Sequence, residues 1–325
     1  MPIFFDDDGL QMRDIWQNIS LFKFTVNATQ VISGFLTTTD STIMDWGDGT
    51  TTTYSGTSAA WSHDYGSAFT GTVSMSSPDS LTKFTMTESG ADISFDIADF
   101  PVNLTFVRFD GSNTISGDIA GLPVNLKYAR FYGNNTISGD IANFPTSLEH
   151  ARFQGSNTIS GDIANFPTSL IYVLFYGDNT LSGDIADVPA SIGYVLFDGA
   201  NTISGDITNI PATLTYIYIK GLNTLSGDIA DLPVNLTSGS FFGNNTISDY
   251  TTKTWVTKPV VLAVVPVSGG LSETEVSQLL VDLNDDFTWT SGTITLTGTN
   301  AIPNATGLAA AVAMDGEGAA ITVKS

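Results

Sequence analysis

Cysteine is missing altogether from these 325 residues, which excludes disulfide scaffolds and thiolate chemistry. Cations are scarce: 11 Lys plus Arg stand against 33 Asp plus Glu, a formal net charge of −22. A surface of that sign repels nucleic-acid phosphate and anionic lipid, so neither is expected as a partner. No run of about 18 apolar residues exists, so no membrane-crossing helix is expected. The opening stretch, MPIFFDDDGLQMRDIW, lacks a basic segment followed by an apolar core, and no secretory signal is expected there. Charge is sparse while Gly, Ser, Thr and Asn abound, a composition that suits a β-rich surface protein more than a cytosolic enzyme.

What the chain does have is repetition. Between Ala91 and Asp249 one motif recurs every 22 residues, centred on Asn-Thr-Ile/Leu-Ser-Gly-Asp-Ile and starting at Asn113, Asn135, Asn157, Asn179, Asn201 and Asn223. A worn copy starts at Ala91 and a truncated one at Asn245, making eight in phase. Proline keeps the same interval from Pro101 through Pro123, Pro145, Pro167, Pro189 and Pro211 to Pro233. A unit of this length cannot bury its own apolar face, so it must stack on its neighbours as a solenoid. Within one unit Leu126, Ala129 and Phe131 recur as Leu148, Ala151, Phe153 and as Leu170, Val173, Phe175. Their alternation is that of a half-buried strand. Asn135, Ile137, Gly139 and Ile141 then fall on one side of a second extended segment, and Thr136, Ser138 and Asp140 on the other. Proline restricts its predecessor to extended conformations. One coil therefore reads as strand, turn, second extended segment and proline-shaped return, with few residues left for a helix.

The pattern L-x-x-A/V-x-F-x-G-x-N-T-I-S-G-D-I resembles a leucine-rich repeat of the bacterial or phage kind, with Phe at one leucine position. It departs from the usual pattern in placing its asparagine one residue late. Ahead of it, Leu21 to Met86 alternates short strands (LFKFTV, ISGFLTT, TIMDW, FTGTVSM) with turn clusters, as all-β sandwiches do. Its block Asp45-Trp46-Gly47-Asp48-Gly49-Thr50, followed by His63-Asp64-Tyr65, resembles the polycystin-type (PKD-like) sandwich. That resemblance implies a spacer or adhesive module, not a catalyst. Asp48 is read as a turn aspartate bonding backbone N–H groups, with metal ligation the alternative, and His63 as a packed, hydrogen-bonded side chain. Asp6-Asp7-Asp8 lie in an arm that is either solvated or able to hold calcium.

After Asp249 the repeat dissolves. PVVLAVVPV (259–267) reads as an apolar strand, and Leu271, Val276, Leu279, Leu280 and Leu283 stand at helical spacing behind a Ser272/Glu275 capping box. A strand at TITLTG, a short helix around Ala305 to Met314 and a strand at AAITVKS follow. A solenoid needs such an end cap because its last edge and core are otherwise open. The segment resembles C-terminal caps of repeat proteins in phage tails and Bacteroidetes surface proteins. The expected fold class is mostly β: an N-terminal arm or docking tail (1–20), a small PKD-like β-sandwich (21–88), a leucine-rich-repeat solenoid of 22-residue coils (89–249) and a helix-containing α/β cap (250–325).

Strand spacing near 4.8 Å turns every repeated position into a ladder of like residues. The asparagines are expected to point inward and bond neighbouring backbones. The aspartates Asp96, Asp118, Asp140, Asp162, Asp184, Asp206 and Asp228 would repel one another. Bonds to adjacent Ser and backbone N–H groups compensate, or bound calcium does at Asp118, Asp140, Asp162, Asp184 and Asp206. Equivalent copies give no means of separating two acids' pKa values, so catalysis there is excluded. No other cofactor is implied.

The outward positions of the first strand vary instead. Phe106, Tyr128, His150, Tyr172, Tyr194 and Tyr216 form one column, and Arg108, Arg130, Arg152 and Tyr218 share the next. The third includes Asp110, Tyr132, Gln154 and Tyr176. Stacked guanidinium groups repel unless an anion or aromatic faces compensate. These columns either stabilise the sheet by cross-strand pairing or form a recognition face, since Tyr and Arg are enriched at binding hot spots. Together with the resemblances they imply a non-enzymatic bacteriophage virion protein (fibre, spike or decoration). It would bind a host-surface glycan or protein, or another virion protein, and homo-oligomers are compatible with it. A secreted bacterial adhesin at the cell surface is the alternative, and a polysaccharide-processing enzyme a remote one.

Overall fold

The computed structural model describes residues 21–28, 31–87 and 91–324. The chain divides into two compact units, Met1–Thr136 and Ile137–Ser325. Asp6-Asp7-Asp8 lie outside the described residues.

In the first unit, alternation in β1 (Phe22–Ala28) turns Phe22, Phe24, Val26 and Ala28 into the core. β2 (Val31–Asp45) pairs antiparallel with β3 (Thr51–Asp64), and β1 with β4 (Phe69–Met75). β2 also touches β4 at Met44↔Met75 and pairs with β5 (Leu81–Met86). Between them sit Trp46 and Trp61, the latter stacked on Phe84 at 5.6 Å. ISGFLTT and TIMDW, expected as two strands, are one. The ladder slips between Leu36 and Thr42 instead of breaking. Buried Thr38 bonds Ser80 Oγ at 2.5 Å and buried Thr42 bonds the Ser76 carbonyl, so the polar middle of β2 is satisfied. The Thr/Ser run joins β3 for the same reason: β2 supplies its backbone partners.

β5 then pairs in parallel with β7 (Phe106–Asp118), Lys83↔Phe106 through Met86↔Phe109. β6 (Ala91–Asp96) pairs in parallel with β7 and antiparallel with β1. A coil thus precedes the worn copy at Ala91, and Pro78 stands three residues before Leu81 as Pro101 does before Leu104. β8 (Tyr128–Asp140) begins in this unit and ends in the next.

In the second unit β9 (His150–Asp162), β10 (Tyr172–Asp184) and β11 (Tyr194–Asp206) stack in parallel, one coil apart. The next coils are split: β12 (Tyr216–Gly221) and β13 (Thr224–Asp228), then β14 (Ser238–Gly243) and β15 (Thr246–Asp249). The expected turn inside each coil is a bulge: Tyr172 faces Tyr194, but past the slip between Phe175 and Asn179 Ser182 faces Thr202. Gly199 sits in that bulge at φ 145°, and a Cβ there would stand 2.6 Å from the Asn179 carbonyl oxygen. Leu170, Val173, Phe175, Leu181 and Ile185 are fully buried, and their equivalents in successive coils make the core. Each return is closed by a proline carbonyl accepting the N–H three residues on, Leu170 to Pro167 and Ile192 to Pro189.

The cap keeps the parallel order. β14 pairs with β16 (Val261–Pro266), β16 with β17 (Thr293–Leu296) and β17 with β18 (Ala320–Val323). The crossovers are α1 (Glu273–Asp286), with the Ser272/Glu275 capping box in place, and α2 (Ala305–Glu317), capped by Asn304. The chain is mostly β: an N-terminal sandwich, leucine-rich-repeat-like coils and an α/β cap.

Candidate recognition face

Three ladders run along the coils, and the structure gives each a different role. The asparagine ladder is internal. Asn179 accepts the Ile159 N–H and Asn201 the Leu181 N–H, both at 3.0 Å, while their amides donate to Asp198 and Lys220 carbonyls. Asn300, outside the 22-residue period, has the same task. Fully buried, it accepts the Leu271 N–H at 2.9 Å and donates to Val264 at 2.7 Å. No period announces it, because the α1 crossover (Glu273–Asp286) lies between it and Asn245 and breaks the 22-residue spacing.

The aspartate ladder is a row of caps. Asp118, Asp140, Asp162, Asp184 and Asp206 each accept the N–H two residues on at 2.9 Å, at the N-terminus of a three-residue 3₁₀ turn such as Ile141–Asn143. Asp96 and Asp228 do the same. The Thr208 hydroxyl and amide hold the Asp206 carboxyl below the usual range. At Asp228 burial acts upward, and bonds from Thr251 and Ala230 with the charge of Lys253 outweigh it. Serine is not the partner expected for this row: Ser182 and Ser204 reach back toward glycine carbonyls of the preceding coil. No group of three or more Asp, Glu, His or Cys side chains placed to hold a metal occurs among the described residues.

In the sandwich, Asp48 accepts from the Thr50 amide and hydroxyl, and lies 2.7 Å from His63 Nε2. These bonds bring its carboxyl down to about 2. His63 is stacked on Trp46 at 4.5 Å and edge-on to Tyr65 at 4.4 Å. Both side chains hold the turn together.

The outward residues of the first strands remain. In the first unit Phe106 and Tyr128 stack at 4.3 Å, with Lys83 Nζ 5.0 Å from the Phe106 centroid. Asp110 takes Arg108 Nη2 at 2.5 Å on one oxygen; Arg130 Nε lies 2.9 Å from the other, in contact but outside hydrogen-bond alignment. The Arg130 guanidinium also lies 4.2 Å over the Tyr132 ring. The repulsion expected between guanidiniums is therefore relieved by both named means, an anion and an aromatic face. Lys83 belongs to this group through the β5–β7 register, which the 22-residue period alone does not reveal.

In the second unit His150, Tyr172, Tyr194 and Tyr216 form a file with ring centroids 6.0, 4.2 and 4.0 Å apart, and the three tyrosine rings are within 9° of parallel. Arg152 lies 3.8 Å over Tyr172. Burial, then hydrogen bonds to the Tyr172 and Tyr216 hydroxyls, push the Tyr194 phenol up. Burial and then the nearby Arg152 charge hold the His150 imidazole below its usual value. Beside this file Leu174 and Leu196 are buried at 7% and 4% exposure, although their column points outward. Tyr218 tilts against Phe242, and Tyr176 is 37% exposed. Both faces of Tyr194 are covered by rings, and Tyr216, whose next neighbour is Ser238, is covered by a ring on one side.

No protein-family profile matches this chain, and no curated protein sequence does. Among solved structures it is similar to the PEPR1–AtPEP1 complex at 17% identity and a TM-score of 0.41, over 68% of this chain and 35% of that one. It is likewise similar to the plant peptide hormone receptor RGFR1 in complex with RGF2, at 18% identity and a TM-score of 0.41, over 63% of this chain and 42% of that one. The chain thus spans less than half the length of either structure.

Proposed function

We propose that this protein is a non-enzymatic recognition protein whose outward first-strand residues contact a partner. The observation that carries this is the His150–Tyr172–Tyr194–Tyr216 file. Its rings are half-buried and stacked in a file, and Tyr176 beside it is exposed. Rigid aromatics that are already ordered lose little entropy on binding. The repeated carboxylates support a non-catalytic reading, because each is a turn cap in an equivalent setting.

The setting we favour is a bacteriophage virion surface, as fibre, spike or decoration, with a host-envelope molecule or a neighbouring virion protein as partner. A secreted bacterial adhesin is the second reading. Both rest on the resemblance of the repeats, the PKD-like turn and the cap motifs. Because the faces inside the file are covered by neighbouring rings, a protein partner fits it better than a sugar that must stack on several ring faces. The test is binding of labelled protein to host cells and to isolated envelope fractions. Tyr194→Ser with Tyr216→Ser is expected to weaken binding about tenfold or more. Unchanged binding by a folded double variant overturns the proposal.

A further inference from the structure

The outward face of the first unit concentrates what the chain otherwise lacks. Only 11 Lys plus Arg occur in the whole sequence. Three of them, Lys83, Arg108 and Arg130, stand in adjacent strands, with Asp110 the one carboxylate in direct contact with either guanidinium among the described residues. Three cations to one carboxylate leave positive charge on a protein whose total is −22. At physiological ionic strength the screening length is about 8 Å, so a ligand on this patch feels its cations more than distant aspartates.

The rings add to the same sign. An aromatic ring is negative on its face and positive at its edge. Phe106 and Tyr128 cover each other's faces, Lys83 lies over Phe106, and Arg130 covers Tyr132. What these rings turn outward is their electropositive edges. Arg108, with its side chain 38% exposed, is more accessible than Arg130; Asp110 takes its Nε–Nη2 edge, which leaves the outer end of the guanidinium to meet a carboxylate.

We infer that Lys83, Arg108 and Arg130, framed by Phe106, Tyr128 and Tyr132, form a docking surface for an acidic protein segment lying extended across the strands. The inference rests on reading the outward strand face as a recognition surface, and names a partner chemistry for its first-unit part. Charge complementarity selects carboxylates. The closed ring faces favour a peptide over a uronic-acid sugar, which would stack on a face. Neighbouring strands stand about 4.8 Å apart and alternate side chains of an extended peptide about 7 Å, so a segment crossing the strands reaches these cations with carboxylates from one of its sides without matching them rung for rung.

The probe is a fluorescein-labelled peptide of alternating Glu and Ser, read by anisotropy against the full chain, with polygalacturonate as competitor. The peptide is expected to bind at about 0.15 M salt and to weaken as salt rises to about 0.5 M. Arg108→Gln with Arg130→Gln is expected to lower affinity about tenfold, Lys83→Gln less, and Arg108→Lys partly, because charge stays while the fork is lost. An unchanged thermal midpoint keeps a loss of binding from being read as misfolding. Absent peptide binding, affinity indifferent to these substitutions, or polygalacturonate binding as tightly as the peptide would each overturn the inference. Host binding that Tyr194→Ser with Tyr216→Ser weakens, combined with no peptide binding, sinks this inference and leaves the proposed function standing.

Discussion

Replacing Asn201 by alanine removes one rung of the internal ladder, and the structure allows its cost to be worked out. The side chain is fully buried, accepts the Leu181 N–H at 3.0 Å and donates to the Lys220 carbonyl at 3.4 Å. Alanine leaves the buried Leu181 N–H without that acceptor, a penalty of about 1–3 kcal/mol. The longer bond to Lys220 adds less, and the lost volume adds a fraction more. The sum is about 3 kcal/mol. For a folding unit of about 150–250 residues that lowers the thermal midpoint by about 6–12 °C. Thr202→Ala, one residue along and exposed, is the control and is expected to stay within about 0.5 kcal/mol. Urea titration gives the energies, and hydrogen exchange at the Leu181 amide locates the damage. Equal stability of the two variants, or unaltered protection at Leu181, would refute the assignment of the asparagines as backbone acceptors.

Other outcomes follow from the same geometry. Gly161 has φ 123°, and a Cβ there would meet Asp140 Oδ1 at 2.5 Å; Gly161→Ala is expected to lower the thermal midpoint clearly, whereas Ser160→Ala changes it little. The Asp48 carboxyl lies at about 2 in the folded chain, below its ordinary 3.8. Its contribution to stability is full above pH 3.8 and is lost as pH falls through about 2, so wild type and Asp48→Asn should differ at pH 6 and converge in strong acid. A difference that persists below pH 2 contradicts that assignment. Because the repeated aspartates serve as turn caps, EDTA is expected to leave the melting temperature unchanged; a fall of many degrees would place a cation on the row.

The coil was legible because its period is long, exact in phase and supported by alternation: Leu170, Val173 and Phe175 sit in the core as their spacing implies. The capping role of the aspartates was less so, since a 3₁₀ turn of three residues leaves no periodic trace. Bonds within two residues of each Asp do the work that serine was expected to share. The outward columns were readable as columns, but the posture of their rings was not. Alternation says which side Tyr172 and Tyr194 face, and only packing at 4.2 Å stands the rings on edge. Lys83 escaped because its coil is spaced differently from the others, and Asn300 because the helix Glu273–Asp286 sets it out of phase.

Protection of individual tyrosines on binding tests the central claim most directly. Free and host-bound protein would be treated with the same tyrosine-modifying reagent and the modified peptides quantified. Tyr172, Tyr176, Tyr194 and Tyr216 should become protected on binding, while Tyr250, buried and bonded to Asp282 at 2.7 Å, stays unchanged in both states. Equal labelling of the file in free and bound protein would contradict the account.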